Sequence, residues 1–187
     1  MLRRFRVAEL PRERWRNGAG WTRTVCAREA DGQLRWRVSV ADITAAAPFS
    51  AFAGMDRTAV MVRGAPLRLS HAGHLLVLEG PGSMLQFPGE WTLQCEAPER
   101  PTRLLNVMVQ RGKAAARVRV VRDDAAFPPA GGEQVGLVLR GGFEFRSSRG
   151  EALTLAADEG VHCAARHGAC HARPLADGAI LAWCALG

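Results

Sequence analysis

The feature that most constrains the fold is a succession of short strand-like runs separated by Gly- and Pro-rich turns. Turn signals recur every ~8–12 residues, and almost no run keeps the periodicity of an α-helix. This spacing is typical of sandwiches and barrels, so the sequence predicts an all-β fold. The predicted strands are Trp21–Arg28, Arg35–Ala41, Thr58–Arg63, Pro66–Ser70, His74–Leu78, Ser83–Phe87, Thr92–Glu96, Arg103–Gln110, Arg117–Val121, Gln134–Arg140, Gly142–Arg146, Glu151–Ala156, Gly160–Ala164 and Ile180–Leu186.

The segment 34–40 shows the clearest alternation of apolar and polar residues. Leu34, Trp36, Val38 and Val40 fall on one face of a strand, and the polar residues between them fall on the other. One face therefore belongs to the core, and the other meets water or a cavity. Helical signals are limited to two stretches, 42–47 and 123–127, each long enough for one turn.

Charge and composition exclude several classes of protein. The net charge of +7 comes almost wholly from arginine, since Lys113 is the one lysine. The basic N-terminal stretch is not followed by the apolar run of a signal peptide, and no segment has the length and hydrophobicity of a membrane span, so we expect a soluble, cytoplasmic protein without a membrane partner. The five cysteines are odd in number and scattered, which favours reduced thiols. No helix-turn-helix, zinc finger or aromatic platform accompanies the arginines, so nucleic acid is not an expected partner.

Three sequence blocks carry the strongest functional signal. They are W-R-N-G-A-G-W-T-R at 15–23, W-R-V-S-V-A-D at 36–42 and P-F-S-A-F-A-G-M-D-R at 48–57. In these blocks the chain resembles the HutD/Ves family, whose members carry W-[KR]-N-G-x-G-x-T-R-E, W-R-x-S-[IV]-A-[DE] and G-P-F-S-x-[FY]-x-G-x-D-R in the same order. The resemblance continues through F-P-G-E at 87–90 and L-N-V-M at 105–108. Thr24 stands where the family commonly has Glu, and the acid usually found just before Asn106 is missing, so no role is carried over for those acids.

The resemblance implies a double cupin: two packed β-barrels of the RmlC-like type, related by duplication. We expect an N-terminal barrel at 1–112 that carries the family blocks and a smaller C-terminal barrel at 113–187, with strands open to exchange between the halves. The family is associated with histidine utilisation, and formylglutamate or a related acyl amino acid has been suggested as its ligand. Binding of such an acid needs no cofactor. Edge strands of cupin barrels often pair between subunits, which implies a homodimer.

The residues of these blocks predict a site for a small polar acid. Arg57 offers a planar fork of donors that suits a carboxylate. Neutral side chains supply donors and acceptors for amide or formyl groups. We expect Phe87 and nearby aromatic residues to form the walls of the site. The neutral polar candidates are Asn17, Thr22, Ser50 and Asn106. Two simpler interpretations stay open, namely that Asp56 pairs with Arg57 and that Asn17 satisfies the backbone of a turn.

Two other functions remain as alternatives. A cupin enzyme acting on a related acid could use a metal, and the residues that would hold one are His162, His167 and His171. The first half lacks the H-x-H pair of cupin metal sites, and its two histidines, His71 and His74, flank a sequence typical of a hairpin turn. The other alternative is an interaction module whose basic N-terminal face binds a partner.

Overall fold

The computed structural model describes residues 2–15, 18–165 and 168–187, and these form a β protein. The described part contains one short 3-10 helix, Val7–Glu9, and no α-helix. The strands in chain order are β1 Leu2–Arg6, β2 Arg12–Arg14, β3 Gly20–Ala30, β4 Gln33–Ile43, β5 Ala47–Pro48, β6 Met55–Arg63, β7 Leu67–His71, β8 His74–Leu78, β9 Met84–Pro88, β10 Gln94–Cys95, β11 Thr102–Gln110, β12 Ala116–Val121, β13 Ala125–Phe127, β14 Glu133–Arg140, β15 Gly142–Ser147, β16 Ala152–Ala156, β17 Glu159–Cys163, β18 Cys170–Pro174 and β19 Ile180–Leu186.

The fourteen predicted strands are all present, with ends that differ by a few residues. The two predicted helical turns are wrong: β4 continues to Ile43, and β13 occupies Ala125–Phe127. In both stretches cross-strand pairing prevails over the weak local helical signal. The predicted turn at 71–74 is confirmed, because His71 pairs with His74 across Ala72 and Gly73, which both have positive φ.

The chain divides into two compact units. The first barrel is Pro11–Ala114, and the second barrel combines Met1–Leu10 with Ala115–Gly187. The N-terminal strand β1 belongs to the second barrel because it pairs with β17. The domain boundary after residue 112 stays a prediction.

The first barrel is built from two sheets. A six-stranded sheet has the order β2-β3-β4-β11-β6-β9, and a four-stranded sheet has the order β5-β10-β7-β8. Its core contains Ile43, Met61, Leu67 and Leu104, each fully buried. Burial of such side chains stabilises the barrel by about 1.5–3 kcal/mol each.

The second barrel repeats much of this strand order. Its five-stranded sheet is β1-β17-β14-β19-β12, and its four-stranded sheet is β13-β18-β15-β16. The order β13-β18-β15-β16 corresponds strand for strand to β5-β10-β7-β8, which is the pattern expected of a duplicated barrel. Aromatic rings pack in the core of the second barrel, where Phe127 stacks on Trp183 at 4.0 Å between centroids.

Two further features bear on the sequence predictions. The five cysteines, all among the described residues, form no disulfide with one another. No helix in the described ranges has the length and apolar character required to cross a membrane.

Candidate functional site

The first barrel contains a cavity of about 560 Å³. This volume lies in the range of small-molecule sites, about 300–1,000 Å³. The described lining is Glu13, Arg14, Trp15, Thr22, Arg37, Ser39, Ala41, Ile43, Pro48, Phe49, Ser50, Phe52, Arg57, Leu104, Asn106 and Met108. Three arginines and one carboxylate among these residues give the lining a net positive charge.

Strand register explains why these residues meet. Across β4, β11 and β6, Arg37 lies opposite Met108, which lies opposite Arg57. One step along the strands, Ser39 lies opposite Asn106. Because residues two apart on a strand share a face, both rows point into the barrel. The alternate residues of β4, Trp36, Val38 and Val40, occupy the other face, as the alternation predicted.

Arg57 is the most enclosed charged group of the cavity. Its residue is 8% exposed, and its Nη1 donates a hydrogen bond to the backbone carbonyl of Ser50 at 2.9 Å. The guanidinium carbon lies 4.9 Å from the ring centroid of Phe87 and 5.1 Å from that of Phe52. Aromatic faces attract a cation but do not neutralise it. The charge of Arg57 is therefore positioned without being cancelled.

The described residues supply no carboxylate within salt-bridge distance of Arg57. Asp56, its neighbour in sequence, instead accepts hydrogen bonds from Arg111 at 2.7 and 2.9 Å. The interpretation that Asp56 pairs with Arg57 is therefore wrong, because adjacent strand residues point to opposite faces. Burial, together with repulsion from Arg37, lowers the pKa of Arg57 to about 10. The guanidinium remains charged at neutral pH.

Arg37 is a second cation of the same cavity. Its Nη2 lies 3.5 Å from the sulfur of Met108, and its guanidinium carbon lies 5.8 Å from the Phe52 ring centroid. Its Nε is enclosed without a hydrogen-bond partner. A thioether is a weak acceptor, so Arg37 keeps most of its donor capacity.

Neutral polar groups complete the cavity. Asn106 is 8% exposed, and its Oδ1 has no hydrogen-bond partner among the described residues. The Thr22 hydroxyl accepts a hydrogen bond from the indole nitrogen of Trp15 at 2.7 Å, which leaves its proton free to be donated. An unsatisfied buried amide costs about 1–3 kcal/mol, so a ligand that bonds to Asn106 would recover part of that cost.

The loop between β5 and β6 forms one wall of the cavity, and it is held from outside. Glu90 accepts a hydrogen bond from the backbone N–H of Gly54 at 2.8 Å, and Arg111 contacts Glu90 at 3.1 Å. The Phe52 N–H also donates to the Gly89 carbonyl at 2.7 Å. These contacts fix Phe52 beside Arg37 and Arg57.

The structure brings most of the predicted site residues together. Thr22, Ser50, Arg57 and Asn106 line one cavity, and Phe87 supports Arg57 without lining it. Asn17 lies outside the described residues. The nearby Gly20 allows its backbone to approach the neighbouring strand closely, since a Cβ there would lie 2.4 Å from the Asp42 carbonyl oxygen.

Several lining residues were not predicted from the sequence. Arg37 and Ser39 belong to the W-R-V-S block and to the polar face of the alternating strand, which was the available signal. Glu13 and Arg14 lie on β2, a strand that was missed because three charged residues show no apolar alternation.

Two of the proposed metal-binding histidines, His162 and His171, lie in the second barrel. His162 is 2.6 Å from a Glu133 oxygen, whereas His171 is exposed and joins no group of three metal-ligating side chains in the part of the chain that the structure describes. His167 lies outside the described residues. In the first barrel, the described cavity lining has Glu13 and neither histidine nor cysteine. This donor set does not suit a transition metal.

Comparisons with known proteins identify relatives by sequence. The model of the HutD family matches residues 7–182. Protein Ves from Citrobacter koseri is 32% identical over 163 residues, which cover 84% of this chain and 80% of that protein. An uncharacterized 21.2 kDa protein in the hutC 3′ region of Pseudomonas putida is 29% identical over 120 residues, which cover 63% of each chain.

Solved structures agree with the fold. HutD from Pseudomonas fluorescens SBW25 has a TM-score of 0.85 at 21% identity, covering 100% of this chain and 98% of that one. A cupin 2 conserved barrel domain protein from Leptotrichia buccalis has a TM-score of 0.61 at 11% identity, covering 88% and 86%. The fold is a double cupin, and the chain belongs to the HutD family.

Proposed function

We propose that the cavity of the first barrel binds a small carboxylate and that the protein acts as a sensor or modulator of catabolic flux. The observation that carries this proposal is Arg57, a guanidinium only 8% exposed that faces a cavity with no carboxylate partner among the described residues. A buried charge without a counter-ion is costly, and an anion that enters the cavity removes that cost.

The neutral groups of the cavity define the ligand further. Asn106, Ser39 and Thr22 can exchange hydrogen bonds with an amide, formyl or hydroxyl group. A ligand that combines a carboxylate with such a group is an acyl amino acid, and formylglutamate fits this description. The position of the P. putida relative in the hutC 3′ region supports a link to histidine catabolism.

The test is calorimetry with N-formylglutamate on the parent protein, on Arg57→Ala and on a matched control. Arg68→Ala is the control, because Arg68 belongs to the same barrel but forms an exposed pair with Glu96. Loss of a charge-assisted contact of about 1.5–3 kcal/mol raises Kd about 10- to 150-fold. We expect that increase for Arg57→Ala and no change for Arg68→Ala.

Thermal denaturation supplies the second readout. A ligand that binds the folded state raises the melting temperature by an amount that grows with the ratio of its concentration to Kd, so at one concentration formylglutamate is expected to stabilise the parent and Arg68→Ala more than Arg57→Ala. Equal affinity of the parent and a folded Arg57→Ala would remove Arg57 from the site and contradict the proposal.

A further inference from the structure

Arg37 and Arg57 form a pair of like charges around one aromatic ring. Their guanidinium carbons lie 5.8 and 5.1 Å from the centroid of Phe52. The distance between the two carbons is therefore at most the sum of these two distances. They come from β4 and β6, which flank β11 in the sheet. Repulsion from Arg37 contributes to the lowered pKa of Arg57.

Neither cation has an anionic partner in the described ranges. Arg57 donates to a backbone carbonyl, and Arg37 contacts a thioether. A ligand with one carboxylate at Arg57 would relieve one charge and leave the other exposed to the cavity without a counter-ion. A ligand with two anionic groups would neutralise both.

The strand between the two arginines, β11, also contributes a neutral polar group to the cavity. Asn106 lies on β11, one row along from the Arg37–Met108–Arg57 row, and its amide oxygen has no partner among the residues described. Arg37 and Arg57 therefore lie in one row of the cavity lining, and the amide of Asn106 lies in the next row. This arrangement complements a molecule that has two acidic groups and a polar group beside them.

We propose that Arg37 is the specificity-determining residue that holds the second acidic group of the ligand, so that the cavity selects dicarboxylates over monocarboxylates. This inference rests on the proposed function, because it assigns the second half of the same site. Arg57 anchors one carboxylate, and Arg37 sets the requirement for the other.

The experiment compares glutarate with butyrate, which share a short aliphatic chain but differ by one carboxylate. Calorimetry is performed on the parent, Arg37→Gln and Arg35→Gln. Arg35→Gln is the matched control, because Arg35 lies on the same strand but binds Asp31 and Gln110 outside the cavity. Arg37→Gln is expected to weaken glutarate about tenfold or more and butyrate by less than about threefold.

The ratio of the two affinities is the readout, since a merely structural defect would weaken both acids alike. We expect the parent and Arg35→Gln to favour glutarate and Arg37→Gln to lose that preference. Equal binding of both acids by the parent, or a parallel loss of both in Arg37→Gln, would overturn the role of Arg37 and leave the carboxylate site standing. Absence of binding by any carboxylate to the parent would overturn both proposals.

Discussion

The guanidinium of Arg57 lies over the ring of Phe87, its cross-strand neighbour on β9, with 4.9 Å between the guanidinium carbon and the ring centroid. The contact holds a charge inside the barrel by packing and leaves it available to an anion. Stability and recognition are therefore opposed at this position, because the free protein keeps an uncompensated cation that only a ligand relieves.

Replacing Arg57 with Met is expected to stabilise the free protein. Methionine retains much of the apolar contact with the surrounding rings and removes the buried charge, so the free energy of unfolding should rise by about 1–2 kcal/mol. Urea unfolding of parent and variant measures this change. A loss of stability would show that the aromatic contacts contribute more than the burial of charge costs.

Carboxylate affinity is expected to be constant between about pH 6 and 9. Arg57 stays protonated throughout this range because its pKa, lowered by burial and by repulsion from Arg37, is still about 10. Above that value the guanidinium loses its charge and the affinity should fall. Calorimetry across this range checks the prediction, and a marked decline between pH 6 and 9 would point to another titrating group.

Glu90→Gln is expected to reduce the acid sensitivity of folding. Hydrogen bonds from Arg111 and from the Gly54 N–H lower the pKa of Glu90 to about 2, against 4.5 in the unfolded chain. A carboxylate with a lowered pKa contributes stability above its unfolded pKa, and this contribution disappears as the pH falls towards 2. The difference in unfolding free energy between parent and Glu90→Gln should therefore shrink as the pH falls from 4.5 to about 2. A difference that stays constant would contradict the lowered pKa of Glu90.

Gly136→Ala is expected to destabilise the second barrel. A Cβ at Gly136 would lie 2.8 Å from the ring of Trp183, so this buried indole must move within its core cluster at a cost of about 1–3 kcal/mol. Gly131→Ala is the control in the same barrel, because its Cβ would meet open space. Thermal denaturation of both variants decides the point, and equal stability would mean that the indole has room to move.

The strand pattern was predictable because the alternation of apolar and polar residues within a strand indicates which of its faces is buried. The alternation at 34–40 located β4 and its polar face correctly. It did not reveal that this face curves into a cavity, so Arg37 and Ser39 were missed although both lie in a recognised block. Curvature depends on how the six strands close into a barrel, and no single strand contains that information.

Long-range pairing accounts for the other omissions. The strand β1 pairs with β17, and five residues with three arginines give little local indication of a strand. The short strand β18 lies among residues that were interpreted as a possible metal cluster. In both cases the partner strand, and not the local sequence, determines the extended conformation.

The repeated strand order of the two barrels has a consequence for how such a chain can diversify. The first barrel encloses a polar cavity, and in the core of the second barrel the rings of Trp183 and Phe127 stack on each other. Substitutions that change ligand recognition can accumulate around the cavity of the first barrel while the core of the second barrel stays unchanged. Duplication of a barrel thus allows one half of the molecule to change its ligand specificity while the other half keeps its core packing.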